Sequence, residues 1–199
     1  MNHAYHKAMS RSDLNHWVVH YIRTQNVISP GQLGTAADAL QNIFRENFVR
    51  PSVQKHVIKY ASEGAACFYD APPAIWPEIM ETNKKRQPLG IICHKHTFWW
   101  LGGRPVIYSE HQDPEIWPAS ERFRVVETNP FRTPDPLDWT HEREWRIKGG
   151  LNLNQPAISD VWWWPVVPAE NWLPYLWENY PGITDVYVVE SKGVVKRPP

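Results

Sequence analysis

Cysteine is scarce in this sequence: Cys67 and Cys93 are the only two in 199 residues, and they lie far from any zinc-finger or redox-motif spacing. A disulfide framework is therefore excluded. Charge of one sign is not in excess either, with 21 Lys and Arg against 21 Asp and Glu, so no global basic field marks a nucleic-acid binder and no acidic tail marks disorder. Any nucleic-acid contact has to come from a local patch. No apolar run is long enough to span a bilayer and no secretory leader is recognisable, so the expectation is a cytoplasmic protein with no membrane contact. Phosphate loops are also missing. The pairs Gly102-Gly103 and Gly149-Gly150 lack the strand-to-helix context such loops need, and read as turns.

Tryptophan and proline are abundant, at 12 and 19 residues. That usage favours many short elements joined by fixed turns, with several large aromatic surfaces, over a helical bundle. With 42 % hydrophobic residues the chain can bury one good core. The expected organisation is a polar leader at 1–13, a single domain at 14–192 and a tail at 193–199.

The pattern predicts strands at His16–Ile22, Ala65–Tyr69, Leu89–Cys93, Pro105–Tyr108, Trp162–Val167 and Asp185–Val189, where β-branched and aromatic residues cluster between turn signals. Ala36, Ala39, Leu40, Ile43 and Phe44 recur at helical spacing over Thr35–Asn47, and further helices are expected at Pro77–Arg86 and Ala169–Asn179. The proline-rich stretch Ser109–Pro136 reads as a long surface connection with one strand at Arg122–Val126. Strands with few intervening helices indicate an α+β fold, a mixed or antiparallel sheet packed against two or three helices.

The richest segment is Asp138 to Ile147. Read with a strand's period of two, it puts Thr140, Glu142, Glu144 and Arg146 on one face and Trp139, His141, Arg143, Trp145 and Ile147 on the other. Glu142 and Glu144 then lie roughly 7 Å apart along the strand, close enough to touch one small substrate. The same pattern fits charged residues on the solvent face of an edge strand. Cys93, His94 and His96 invite a metal reading with His111 or His141, but three or four ligands at fixed spacing are absent and no metal is assigned.

Three pieces carry a resemblance: His20-Tyr21 at the end of the first strand, Cys67-Phe68-Tyr69-Asp70-Ala71-Pro72 in the middle, and Glu142-Arg143-Glu144-Trp145-Arg146-Ile147 near the end. In this order they resemble the ADP-ribosyltransferase-like fold, closest to AbiGi-type abortive-infection proteins and more distantly to DarT-type toxins. The segments Leu89–Ile92 and Gly102–Tyr108 look like the AbiGi pattern too, so the resemblance covers about His16 to Ile147. It implies NAD as substrate: His20, with Tyr21, on the adenosine-side ribose, Tyr69 or Phe68 against nicotinamide, Glu144 on the nicotinamide-side ribose and Glu142 beside the acceptor. Ile22 departs from the small residue or hydroxyl that DarT-like sequences tend to carry there. The implied function is a toxin or phage-defence ADP-ribosyltransferase acting on a nucleic acid or protein. A non-catalytic, antitoxin-like interaction module and an NAD glycohydrolase are the alternatives. Arg122, Arg124, Arg132, Arg143 and Arg146, together with exposed tryptophans, are candidates to contact a single-stranded nucleic acid; each fits equally well in the core or in a surface ion pair.

Overall fold

The computed structural model describes residues 16–23, 35–53, 59, 61, 63–71, 86–110, 114–131, 134, 143–154 and 162–199. In chain order these form β1 (Trp17–Arg23), α1 (Thr35–Glu46), β2 (Phe48–Val49), β3 (Ala65–Tyr69), β4 (Arg86–His94) and α2 (Lys95–Trp100). There follow β5 (Arg104–Pro105), β6 (Ile107–Ser109), β7 (Val125–Glu127), β8 (Glu144–Lys148), β9 (Leu151–Asn152), β10 (Trp163–Val167), α3 (Leu173–Asn179), β11 (Asp185–Val188) and β12 (Gly193–Lys196).

The fold is α+β, as expected. An eight-stranded sheet runs β12-β11-β10-β4-β1-β3-β8-β5, and β2-β9 and β6-β7 form two small ribbons. The large sheet is mixed, since β10 and β11 pair in parallel while its other pairs are antiparallel. Among the described residues, no helix is long and apolar enough to cross a membrane.

Alternation along the strands divides the core in two. Val18, Ile22, Phe68, Ile91 and Ile147 join Leu40, Ile43 and Phe44 of α1 and Leu173 and Leu176 of α3 in one cluster, so these helices cover one face of the sheet. Val19, Tyr21, Tyr69, Ile92 and Val166 form a second cluster on the opposite face, joined by the half-buried Trp17 and Trp164. Gly90 fixes the closeness of β1 and β4: a Cβ there would stand 1.9 Å from the His20 carbonyl oxygen, well inside van der Waals contact.

Several expectations shift. Trp163–Val167 and Asp185–Val188 form where strands were expected, but Gly193–Lys196, read as part of a tail, pairs with β11 and makes one edge of the sheet. The connection after Ser109 contributes β7, preceded by a 3-10 turn at Arg122–Arg124 where a strand start was expected. The Ala169–Asn179 helix is split into a 3-10 turn and α3, because Pro174 at the start of α3 can donate no backbone hydrogen bond. Lys95–Trp100, in the link between the expected strands Leu89–Cys93 and Pro105–Tyr108, is a helix. Of the helix expected at Pro77–Arg86, residues 77–85 lie outside the described residues, and Arg86 opens β4.

Candidate functional site

The three motifs of the sequence fall on neighbouring strands, because β1, β3 and β8 are consecutive in the sheet. Val19 pairs with Tyr69, and Tyr69 pairs in turn with Glu144. Directly opposed residues share a face, so Tyr69 and Glu144 project side by side. Tyr21 joins them, its ring 5.9 Å from that of Tyr69 and tilted by 31°. All three are buried, Glu144 with 8 % of its surface exposed.

His20 does not join this group. It follows Val19 and precedes Tyr21, so on an extended strand it points to the helical face, where its ring lies 5.4 Å from Phe68. Its Nδ1–H donates to the Cys67 carbonyl at 2.8 Å, tying β1 to β3. Phe68, the alternative nicotinamide wall, is fully buried on that same face.

Glu144 and Arg146 were expected to face a cleft or water. Instead both are buried, and they pair with each other. The guanidinium donates through Nε to Oε1 at 2.9 Å and through Nη2 to Oε2 at 3.4 Å, a two-point contact that holds the carboxylate in one plane. Nη1 reaches the carbonyls of Phe123 and Val125 at 3.2 and 3.5 Å, so the pair also anchors the 3-10 turn before β7. Burial works against the Arg146 charge, yet Glu144 and the neighbouring Cys67 thiol outweigh it and leave the guanidinium's pKa above its ordinary value. The Glu144 backbone is fixed as well: its N–H donates to the Tyr108 hydroxyl at 3.3 Å and its carbonyl accepts from Val106 N–H at 2.9 Å.

Glu142 lies outside the described residues. The alternation expected to place it beside Glu144 stops at Arg143, whose φ of 44° is left-handed and breaks the extended run. β8 therefore starts at Glu144 rather than upstream.

Sequence reasoning missed a second group at the same end of the sheet. Asp70, just past β3, is buried and pairs with Lys95 Nζ at 2.8 Å and Arg143 Nη2 at 3.5 Å, while its N–H donates to the Arg143 carbonyl. Burial lowers the Lys95 pKa more than Asp70 raises it, and Arg143 adds to the lowering. The one sequence signal for this group was the break expected after Tyr69 at Asp70-Ala71-Pro72-Pro73. His94 and His96 lie nearby with ring centroids 6.5 Å apart, and His96 Nε2 accepts from the Trp100 indole at 3.0 Å. Among the described residues, no cluster of three or more His, Cys, Asp or Glu side chains is placed to hold a metal ion.

No family model matches this chain, and neither a curated protein nor a solved structure matches it.

Proposed function

We propose that this chain is an NAD-dependent ADP-ribosyltransferase of the toxin or phage-defence type, acting in the cytoplasm on a nucleic acid or protein acceptor. The observation that carries the reading is the direct pairing of Tyr69 with Glu144 on adjacent strands, with Tyr21 on the same face. It puts an aromatic wall beside a fixed carboxylate, the two groups that the resemblance assigns to nicotinamide and its ribose.

The chemistry asks for such an anion. When the ribose–nicotinamide bond breaks, its electron pair leaves with nicotinamide, which departs neutral, and positive charge develops on the ribose. A carboxylate already oriented in a water-poor site stabilises that charge more than it stabilises bound NAD. The acceptor then bonds to the ribose carbon and gives up a proton, the step for which Glu142 is the proposed base. Tyr69 and Glu144 keep 4 % and 8 % of their surface exposed, a site with little water.

A second reading has its own observation. The two-point Glu144–Arg146 pair, with Arg146 1 % exposed and bound to two backbone carbonyls, is what a structural ion pair requires. Together with His20 on the opposite face, it favours a non-catalytic, antitoxin-like module on the same fold. Purified protein and its Glu144→Gln variant, incubated with NAD and separate pools of DNA, RNA and protein, distinguish the readings by nicotinamide release and by mass added to a pool. Release that depends on Glu144 and modifies one pool supports the transferase, and release without modification identifies a glycohydrolase. Absence of release leaves the interaction module.

A further inference from the structure

The turn after α2 holds one cation in a set position at the edge of the sheet. Gly102 takes a φ of 97°, and Gly103, where a Cβ would strike the Phe98 ring at 2.2 Å, lets the chain fold back tightly over α2. The N–H groups of Gly102 and Gly103 close on the Trp99 and Phe98 carbonyls at 3.0 and 2.8 Å. Arg104 therefore returns to the helix that the chain has just left. Its guanidinium lies over the Trp99 ring at 4.0 Å, and its Nη1 donates to the carbonyls of Trp99 and Gly103 at 2.7 and 2.8 Å. Stacking and two hydrogen bonds fix the plane of the guanidinium. Among the described residues, its Nε and Nη2 carry no hydrogen bond and no carboxylate pairs with it. The side-on edge of the fork stays open, the pair of parallel N–H groups that grips a carboxylate at two points.

The neighbouring cations are already matched. Arg146 is closed on Glu144, Arg124 on Glu121, and Lys95 and Arg143 share Asp70. The charge left unmatched among these groups is one planar fork. Beside it stand two indoles that the core does not cover, Trp99 at 46 % and Trp100 at 75 % exposure. The Trp99 carbonyl that Arg104 grips belongs to the peptide bond joining these two residues, so the fork and the Trp100 ring are anchored one peptide apart. The Trp100 ring is held too, its indole N–H donating to His96 Nε2 at 3.0 Å. A fixed, open indole next to a fixed, open guanidinium is the pairing that anchors protein contacts, where Trp and Arg carry much of the binding energy.

We infer that Arg104 and Trp100 form a docking point for an acidic segment of a partner protein, one that sets an Asp or Glu carboxylate beside an apolar side chain. The carboxylate takes the Nε and Nη2 edge of Arg104, and the neighbouring side chain covers the Trp100 ring. Strand addition is not the mode, because Pro105 of the edge strand β5 has no N–H and its carbonyl already accepts from Arg124 Nε at 2.8 Å. A nucleic acid suits the surface less: a run of phosphates needs a run of open cations, and one face of Trp99 is already taken by Arg104. The docking uses none of the residues assigned to NAD, so it stands or falls apart from the transferase reading.

The probe is a fluorescein-labelled random copolymer of glutamate and tyrosine, its binding to the full chain read by anisotropy at low salt. Polyglutamate and oligothymidylate of similar length, labelled alike, are the comparison ligands. The copolymer should bind most tightly, and Trp100→Ala and Arg104→Gln should each weaken it about tenfold or more. Arg104→Lys keeps the charge but not the fork, and should lose most of the same affinity. Trp100 is exposed, so its truncation leaves the fold intact, and far-ultraviolet circular dichroism checks the Arg104 variants. Equal binding of copolymer and polyglutamate would reduce the site to bare charge, and tighter binding of oligothymidylate would make it a nucleic-acid surface. Either result overturns the inference. So do full affinity in Trp100→Ala or in Arg104→Lys, no binding at low salt, or a self-associated protein that Arg104→Gln turns into monomers in sedimentation runs.

Discussion

Glu144 and Arg146 stand two residues apart on one strand, share a face, and close a buried two-point ion pair at 2.9 and 3.4 Å. Neighbours at this spacing on a flat strand stand nearly parallel, so the pair forms because the long guanidinium folds back towards its neighbour. Removing one partner strands the other charge in the core. Arg146→Met should therefore lower stability by about 3–5 kcal/mol, and adding Glu144→Leu to it should recover most of the loss. Urea unfolding of the two variants reads this directly. A loss below about 1 kcal/mol for the single variant would mean the pair is solvated and Glu144 is held by other contacts.

Toxicity separates an active enzyme from a module. If Glu144 supports NAD chemistry, induced expression in a bacterial host should arrest growth, and Glu144→Gln should relieve the arrest because it keeps the shape and removes the charge. The matching loss in nicotinamide release should be on the order of a hundredfold or more. Far-ultraviolet circular dichroism of the variant checks that relief does not come from unfolding. Arrest that persists with a folded Glu144→Gln protein would count against the enzyme.

His20 offers a sharper discrimination. It lies on the helical face, and its Nδ1–H bonds the Cys67 carbonyl, so its expected part is to tie β1 to β3. His20→Leu should cost about 1 kcal/mol of stability and leave the NAD concentration for half-maximal release unchanged. A large rise in that concentration with stability intact would place His20 at the adenosine-side ribose instead.

The division of the motif residues between two faces could be read from the sequence. His20 and Tyr21 are adjacent on a strand, so at most one of them can share a face with Glu144. The neighbourhood of β1, β3 and β8 was not legible, because strand order depends on pairing between distant segments. The contacts of the Trp17 ring with His94 and Trp164 were hidden for the same reason: these residues meet only through the β1–β4 and β4–β10 registers. The helix at Lys95–Trp100 escaped notice because four of its six residues, Thr97, Phe98, Trp99 and Trp100, carry strand propensity, whereas here they turn the chain at the sheet's end. By contrast, Ala65–Tyr69 and Thr35–Glu46 could be read closely, one a short apolar run stopped by Asp and Pro, the other an apolar stripe at helical period.

Gly90 should tolerate no side chain. A Cβ at this position meets the His20 carbonyl oxygen at 1.9 Å, a backbone atom that cannot swing away. Gly90→Ala must therefore push β1 from β4 at the centre of the sheet, costing about 1–3 kcal/mol or more and lowering the yield of soluble protein. Gly182→Ala, at a turn with open space around it, is the control and should leave the urea midpoint nearly unchanged. Equal midpoints for both variants would show that the two strands yield without cost.

His94 makes the fold sensitive to acid. Burial lowers its pKa below the ordinary 6.5, and the neighbouring His96 and His16 lower it further. In the window between the lowered folded value and 6.5, the unfolded chain binds a proton that the native protein refuses. Stability therefore rises with pH through that window, and it falls as the solution is acidified below 6.5 until the folded value is passed. His94→Gln removes this titration while keeping a polar side chain against Trp17, whose ring meets His94 edge-on. Unfolding midpoints measured from pH 7 downward should drop less steeply for the variant than for the parent. Parallel curves would mean that His94 titrates alike in both states and that the acid sensitivity has another source.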